Sequence, residues 1–367
     1  MVLTKDSEEI KIFKELVKDS LNRHASFTIN NISFIPEKGI KIIIDRSDTT
    51  SSSIYIKNPN VDFVATVSIL IIPIILGAIS NKDSINIVYS DDGKVEIDDT
   101  YTVETISDNS SFAYEHIAEP MITFTKEQYA KLEKDFDLTK GNYFSNEKNV
   151  DTIGFVNDEG SIKLISTGAY LYKYSDNLDA TIDTVVVEQA GGHDVQIFLL
   201  PRKIYDITKH FEDSLKIYLN NQGYIAFESD TIYFCYATTC FGTTKYKSVK
   251  NDVLATGSTS FKISDIKDIM IDLVEPILNN NFIAEEDSNI EIVSDNGKML
   301  VSLNDNQIIK LDNEVNLSLA ANAEVLLYLC KNYPNAEVYE KIDENEINNY
   351  FIAKDGQSSF VFTNLKF

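Results

Sequence analysis

The pattern of apolar and polar positions is clearest in the middle of the chain. An amphipathic helix is predicted over 122–136, where Tyr129, Leu132 and Phe136 recur at helical spacing behind a capping-box pair, Thr125 and Gln128. Strand-like alternation follows at 160–174 and 194–201, then a second amphipathic helix at 202–212 and a closing hairpin at 223–249. The middle third of the chain therefore predicts two helices and a set of antiparallel strands.

The same order of elements occurs twice more. It returns from residue 259 to the C-terminus, and it also describes the first 119 residues. A repeat of this length can bury a hydrophobic core of its own, which favours separate domains over a solenoid. We predict an α+β chain of three tandem domains, each with two helices packed on antiparallel sheet, at 1–119, 120–252 and 253–367.

Net charge and cysteine content limit the function classes. The 367 residues carry a formal charge of −24, with 43% apolar and 11% aromatic residues, as in a folded globular protein. A net charge this negative argues against ordinary binding to nucleic-acid phosphates. The alternative interpretation is an acidic surface that only keeps the protein soluble. Cys235, Cys240 and Cys330 have no metal-like spacing and favour thiols in a reducing compartment. No signal peptide is evident, and we expect a cytoplasmic protein.

The segment 61–79 is nearly long enough and apolar enough to cross a membrane. Against this, Pro73 interrupts it, and Thr66 and Ser68 alternate with apolar residues as in a strand. The repeat also places a strand and then a helix here, with Pro73 in the first helical turn. We predict a strand and a helix, and no membrane partner.

Part of the scarce positive charge is gathered on the predicted helices, while strands and loops are rich in Asp and Glu. The helix-borne cations are Lys11, Lys14, Lys18, Lys131, Lys134, Arg202, Lys203 and Lys209. Lysines on solvated helix faces are common, so this grouping alone leaves a solubilising role open. The third repeat breaks the pattern, because Asp265, Asp268 and Asp272 share the exposed stripe of its first helix.

No catalytic, cofactor-binding or metal-binding motif is present in the sequence. The glycines form no phosphate loop, and His193 in the loop-like segment 188–194 has no spaced partner for acid–base or metal chemistry. The paired carboxylates fall at turn-like positions, where solvation is the ordinary state. We therefore expect a binding protein without enzymatic activity, and no cofactor.

Three segments carry a family resemblance. Residues 162–174 ("IKLISTGAYLYKY") are similar to the "ATDGHRLA" strand-turn of the bacterial β sliding clamp, the processivity factor of replicative DNA polymerase. Residues 198–212 resemble its "VPRK" helix start, and 358–367 resemble its "YVVMPMRL" ending. Their order and spacing extend the resemblance over essentially the whole chain. Low Arg with high Asn and Ile content is typical of an AT-rich genome, and a phage origin is one possibility.

The resemblance implies a fold and a set of partners. Two three-domain chains of that family close head to tail into a six-domain ring, with helices lining the hole and sheet outside. It implies a homodimer, encircled double-stranded DNA without sequence preference, a replicative DNA polymerase and a clamp loader. A ring held on DNA by topology needs little attraction, so a weakly positive bore with an acidic exterior suits it better than a strongly basic protein would.

The resemblance also implies a peptide-binding pocket between the second and third domains. Its positions in this chain are Gly168, Leu171, Thr244, Val249, Asn322, Tyr350, Val361, Phe362, Thr363, Asn364, Leu365 and Phe367. The family's His-Arg pair is Ala169-Tyr170 here, and its C-terminal proline is Asn364, so a different peptide preference is expected. An ordinary inter-domain core is the alternative reading of these apolar positions.

Two further function classes remain open from the sequence. A multi-domain viral structural protein, such as a tail or capsid component, would also be acidic, repetitive and free of motifs. An enzyme with a carboxylate site has the least support. Lysines on equivalent helices and the apolar C-terminus favour the clamp.

Overall fold

The computed structural model describes most of the chain. The residues described are 1–20, 28–45, 51–106, 120, 122–139, 152–158, 161–167, 171–175, 195–219, 224–237, 259–279, 288–295, 298–303, 306–312, 318–342, 349–356 and 358–363.

The first unit contains two helices and eight strands within these residues. The helices are α1 (Glu8–Ser20) and α2 (Ile71–Ile79). The strands are β1 (Val2–Thr4), β2 (Thr28–Ile35), β3 (Gly39–Asp45), β4 (Ser51–Lys57), β5 (Ala65–Ser68), β6 (Ser84–Tyr89), β7 (Lys94–Ile97) and β8 (Tyr101–Glu104).

The second unit follows the same order with shorter helices. These are α3 (Lys126–Ala130), α4 (Glu133–Phe136) and α5 (Arg202–Thr208). The strands are β9 (Ile122–Thr125), β10 (Thr152–Asp158), β11 (Ser161–Thr167), β12 (Leu171–Ser175), β13 (Val195–Pro201), β14 (Ser214–Leu219), β15 (Tyr224–Glu228) and β16 (Ile232–Ala237).

The third unit has one irregular and one regular helix. The irregular one comprises a 3₁₀ turn (Ile263–Asp265), α6 (Lys267–Ile269), a π-helical turn (Met270–Val274) and α7 (Glu275–Asn279), and the regular one is α8 (Ala323–Asn332). The strands are β17 (Phe261–Lys262), β18 (Asn289–Asp295), β19 (Lys298–Leu303), β20 (Asn306–Asp312), β21 (Ser318–Asn322), β22 (Glu337–Ile342), β23 (Asn349–Asp355) and β24 (Ser358–Thr363).

The sheets join the units to one another. Two sheets of four strands, β1-β6-β7-β8 and β20-β19-β18-β21, each lie within one unit. Two sheets of eight strands cross a boundary: β5-β2-β3-β4 continues into β16-β15-β14-β9, and β13-β10-β11-β12 continues into β24-β23-β22-β17. Each crossing is an antiparallel pair, β4 with β16 and β12 with β24. Sheet hydrogen bonds therefore hold successive units together.

The helices pack against these sheets and bury two large cores. One core is shared by the first and second units and includes Phe13, Phe34, Phe124, Phe155 and Phe227, all at most 1% exposed. The other belongs to the third unit, although the second unit contributes Leu138 and Leu171 to it. Fully burying one side chain of this kind contributes about 1.5–3 kcal/mol, so apolar packing dominates the stability.

Several local expectations are confirmed. The segment 61–79 forms β5 and α2, with Pro73 in the first turn of the helix. Within the part of the chain that the structure describes, no helix is long and apolar enough to cross a membrane. The capping box is present, because the Thr125 amide donates to Gln128 Oε1 at 2.8 Å and the Gln128 amide donates to Thr125 Oγ1 at 3.3 Å.

Two helices that were predicted to be continuous are interrupted. The helix expected over 122–136 begins with strand β9 and is then divided, because the amide of Leu132 donates three residues back to Tyr129 and tightens the turn between α3 and α4. The helix expected over 259–278 contains a π turn. Pro276 lacks the amide that a regular helix requires there, and the Glu275 amide donates five residues back to Met270.

The acidic stripe of the third unit is also corrected. Asp265 lies in the 3₁₀ turn, where its Oδ2 accepts the Lys262 amide at 2.9 Å and caps the start of the irregular helix. Asp268 and Asp272 remain exposed, as predicted. The stripe therefore contains two free-standing carboxylates and one capping residue.

Candidate functional site

The lysines of α1 lie beside carboxylates of the same helix. Lys11 Nζ is 2.5 Å from Glu8 Oε1, and Lys18 Nζ is 3.8 Å from Glu15 Oε2. Both pairs have the i, i+3 spacing that brings side chains together on one helix face. Lys14 lies on the same helix and is exposed. The face is therefore one of alternating charge and only weakly positive.

Arg202, at the start of α5, is held on two sides by acids. Its Nη2 pairs with Glu133, its Nε is 3.3 Å from Asp206 Oδ1, and its guanidinium lies 5.1 Å from the centre of the Phe136 ring. Burial alone would lower the pKa of Arg202, and the carboxylates Asp206 and Glu133 outweigh it, so the pKa is raised. Lys209 Nζ lies 2.8 Å from Asp206 Oδ1. These cations are held in fixed pairs along the helix.

The remaining predicted cations lie on the helices of the second unit. Lys131 and Lys134 are exposed at the end of α3 and in α4, as expected. The side chain of Lys203 lies outside the described residues. In the third unit the equivalent helix presents Asp268 and Asp272 instead. The predicted helix cations therefore all belong to the first and second units.

The helices of neighbouring units touch. Helix α1 contacts α5, where His210 Nε2 lies 3.9 Å from Glu15 Oε1. Burial lowers the pKa of His210, with Glu8 opposing that effect. At the next junction the Tyr328 hydroxyl donates to the Lys134 carbonyl at 3.5 Å. The helices therefore form one row across the three units, and this row carries the predicted cations.

Four predicted pocket residues with described side chains lie in or beside the β12–β24 pairing. Leu171 and Phe362 are direct cross-strand partners and are 5% and 2% exposed, and both pack into the core of the third unit. Val361 and Tyr350 lie on the opposite face of this sheet, where they pack with Tyr172 around a smaller apolar cluster. Successive strand residues point to opposite faces, so the predicted set is divided between the two sides of one junction.

Asn322 has a structural role at the start of α8. Its side-chain Oδ1 accepts the amides of Glu324 at 3.0 Å and Val325 at 3.3 Å, which caps the helix. The side chain of Thr363 is not among those described. The remaining predicted pocket positions lie outside the described residues: Gly168, Thr244, Val249, Asn364, Leu365 and Phe367.

A buried ion pair at this junction was missed from the sequence. Lys173 and Asp135 are only 7% and 2% exposed, with Lys173 Nζ 2.5 Å from Asp135 Oδ1 and 3.2 Å from the Tyr333 hydroxyl. The signal was available: Lys173 shares its strand face with Leu171, and Asp135 follows Leu132 at i+3 on the apolar side of the helix. A charge on a buried face requires a partner.

Comparisons with known proteins identify this architecture at the level of structure. Neither protein-family models nor curated proteins match the sequence. The Helicobacter pylori beta clamp bound to a DNA ligase peptide matches with a TM-score of 0.64 and 14% identity, covering 100% of this chain and 99% of that one. A putative DNA polymerase III beta subunit from Eubacterium rectale matches with a TM-score of 0.66 and 13% identity, covering 100% of this chain and 99% of that one.

The DNA polymerase III subunit beta from Pseudomonas aeruginosa gives a TM-score of 0.63 and 11% identity, covering 100% of both chains. At this low sequence identity the structural similarity shows the fold alone, and the role of each residue has to be argued from this chain. Over its full length, this α+β chain has the fold of the DNA polymerase III β sliding clamps.

Proposed function

We propose that this chain is a DNA sliding clamp. Two copies close head to tail into a ring of six domains, encircle duplex DNA without sequence preference, and tether the replicative DNA polymerase. The observation that carries the proposal is the repeated strand junction between units, which leaves one matching pair of edges unpaired among the described strands.

The two internal junctions follow one rule. A four-strand set of each unit ends in an edge strand, β4 or β12, and pairs with the last strand of the next unit, β16 or β24. The equivalent strands at the chain's two ends are β20 in the third unit and β8 in the first, and both are sheet edges. Pairing β20 of one copy with β8 of another satisfies the same rule and removes exposed edges.

Apolar side chains are exposed beside the free edge of the first unit. Tyr101 on β8 is 47% exposed and Ile106, just beyond β8, is 42% exposed. The Ile106 amide donates to the Thr66 carbonyl in β5 at 2.7 Å, and Val64 and Leu70, which precede and follow β5 in sequence, are 70% and 67% exposed. Exposed apolar residues on neighbouring segments are typical of an interaction surface.

The charge of the helix row suits a ring that slides. Because Lys11, Lys18, Arg202 and Lys209 each lie beside a carboxylate, they offer a weak field to phosphates and no tight grip. Strong phosphate neutralisation would make binding salt-sensitive and would slow movement along DNA. A topological link needs no such attraction, which also explains how a chain of net charge −24 could work on DNA.

The β12–β24 junction is the proposed docking site for partner peptides. The Helicobacter pylori clamp of the same fold is seen with a DNA ligase peptide. In this chain we assign the polymerase and clamp-loader peptides to the β12–β24 junction, with Leu171 in the floor of the pocket and Leu365 and Phe367 as its apolar wall. Domain boundaries at 1–119, 120–252 and 253–367 fit the two strand junctions. The role is tethering without catalysis, and the viral structural alternative gains no support from the structural neighbours.

The assembly can be tested by mass. Because the edge pairing is completed only by a second copy, the particle is expected at twice the 41.4 kDa chain mass. Native mass spectrometry or light scattering at micromolar concentration measures this directly. A stable monomer would contradict ring closure.

The helix row can be tested by charge reversal. Replacing Lys11, Lys14 and Lys18 together by Glu should lower clamp-dependent polymerase stimulation by about tenfold, because acidic side chains would then face the phosphates. The matched variant, Asp268→Lys with Asp272→Lys, should leave stimulation unchanged or raise it. Circular dichroism checks that both remain folded. Equal stimulation by both variants and the unaltered protein would remove the helices from the DNA interface.

A further inference from the structure

We infer that Lys173 is a positioning residue for the peptide site at the β12–β24 junction, acting by fastening the second unit to the third beneath it. This inference rests on the proposed function. It concerns a residue that does not itself need to touch the peptide.

Four elements meet at the Lys173 ammonium. Lys173 lies on β12, Asp135 lies on α4 of the second unit, and Tyr333 ends α8 of the third unit. The ammonium is also 5.6 Å from the centre of the Tyr333 ring and 5.9 Å from that of Phe360 on β24. The Tyr333 and Phe360 rings themselves pack with centroids 4.4 Å apart. One cation thus contacts both sides of the boundary.

The contact depends on Lys173 being protonated. Burial by itself lowers the pKa of Lys173, but Asp135 and Tyr333 more than offset it, so the pKa is raised and the side chain stays protonated. The ammonium then donates to Asp135 Oδ1 at 2.5 Å and to the Tyr333 hydroxyl at 3.2 Å. Removing the cation would leave Asp135 buried without its counter-charge, whereas replacing both by apolar groups avoids that penalty.

The tie lies next to the floor of the proposed pocket. Lys173 is two residues beyond Leu171, and its cross-strand partner Phe360 is two residues before Phe362. Leu171 and Phe362 face each other across the same pair of strands. Fixing one pair of partners limits movement of the next, so the pocket is held ready for an incoming peptide and less ordering is required on binding.

The other strand junction provides a matched control. Lys57 at the end of β4 has its Nζ 2.9 Å from Glu228 Oε1 and 2.6 Å from the Ser229 carbonyl, across the boundary between the first and second units. This pair also joins two units through a lysine, but no peptide site is proposed beside it. Lys57→Met therefore breaks an inter-unit ion pair without touching the pocket.

The experiment compares Lys173→Met, Lys173→Met with Asp135→Leu, and Lys57→Met in the full-length protein. The double variant guards against misfolding of the single one, since it leaves no unpaired charge. The probe is a fluorescein-labelled copy of the DNA ligase peptide bound by the Helicobacter pylori clamp, and affinity is read by fluorescence anisotropy. Backbone hydrogen exchange is followed at β12–β24 and at β4–β16.

Both Lys173 variants should bind the peptide at least about tenfold more weakly and exchange faster at β12–β24 alone. Lys57→Met should bind as the unaltered protein and exchange faster only at β4–β16. Unchanged affinity in the Lys173 double variant would overturn the inference, whether or not exchange changes. If the unaltered protein binds neither this peptide nor variants of it with altered apolar anchors, the proposed pocket is refuted instead.

Discussion

A variant carrying Tyr101→Glu and Ile106→Glu is expected to be a monomer at micromolar concentration. Both side chains are nearly half exposed in the single chain, so the substitutions should leave its fold intact. In the closed ring they would lie at the β8 edge, where each substitution loses about 1 kcal/mol of apolar burial, since only the exposed half remains to be buried, and introduces an unpaired carboxylate. Dimer affinity should therefore fall by at least roughly a hundredfold.

The control for this variant is Val2→Glu. Val2 is 56% exposed and lies on β1, the opposite edge of the same four-strand sheet. Native mass spectrometry should show the control as a dimer and the double variant as a single chain. A double variant that stays dimeric would exclude β8 and its surroundings from the interface.

Removal of residues 364–367 is expected to abolish most partner binding while preserving assembly. Strand β24 ends at Thr363, which pairs with Tyr350, so the truncation leaves the inter-unit sheet complete. It removes Leu365 and Phe367, the proposed apolar wall. Loss of such anchors costs about 1–3 kcal/mol, which corresponds to roughly five- to 150-fold weaker binding.

Lys366→Ala is the matched variant for the truncation, because it alters the same segment and keeps both apolar side chains. Anisotropy with the labelled DNA ligase peptide should show near-normal affinity for Lys366→Ala and the predicted loss for the truncated chain. Equal binding by the truncated chain would disprove this location of the pocket even if the ring is correct.

The periodic patterns of the sequence were sufficient for the repeated architecture. Ile10 and Phe13 on α1, and Ile204, Ile207 and Phe211 along α5 and its end, are buried as their spacing predicts. Such stripes depend on local geometry alone. The pairing of β4 with β16 and of β12 with β24 could not be derived from the residues, since it joins strands far apart in sequence, and it is seen only in the structure.

The misjudged features were those decided by tertiary contacts. Asp135 and Lys173 each lie on an apolar face, which indicates burial, but the sequence does not show that they meet each other beside Tyr333. Asp265 fits a helical stripe by spacing, but the chain turns there and the carboxylate caps instead. The pocket positions follow from resemblance, and Asn322 shows that such a position can also have a local capping role.

The measurement that bears most directly on the ring is retention on circular DNA before and after a single cut. The protein is incubated with linear duplex, the ends are ligated, and the circles are washed in salt that removes ordinary phosphate-bound protein. A clamp linked by topology should stay on the circles and leave once one restriction cut opens them. Equal, salt-sensitive retention on circular and cut DNA would contradict encirclement.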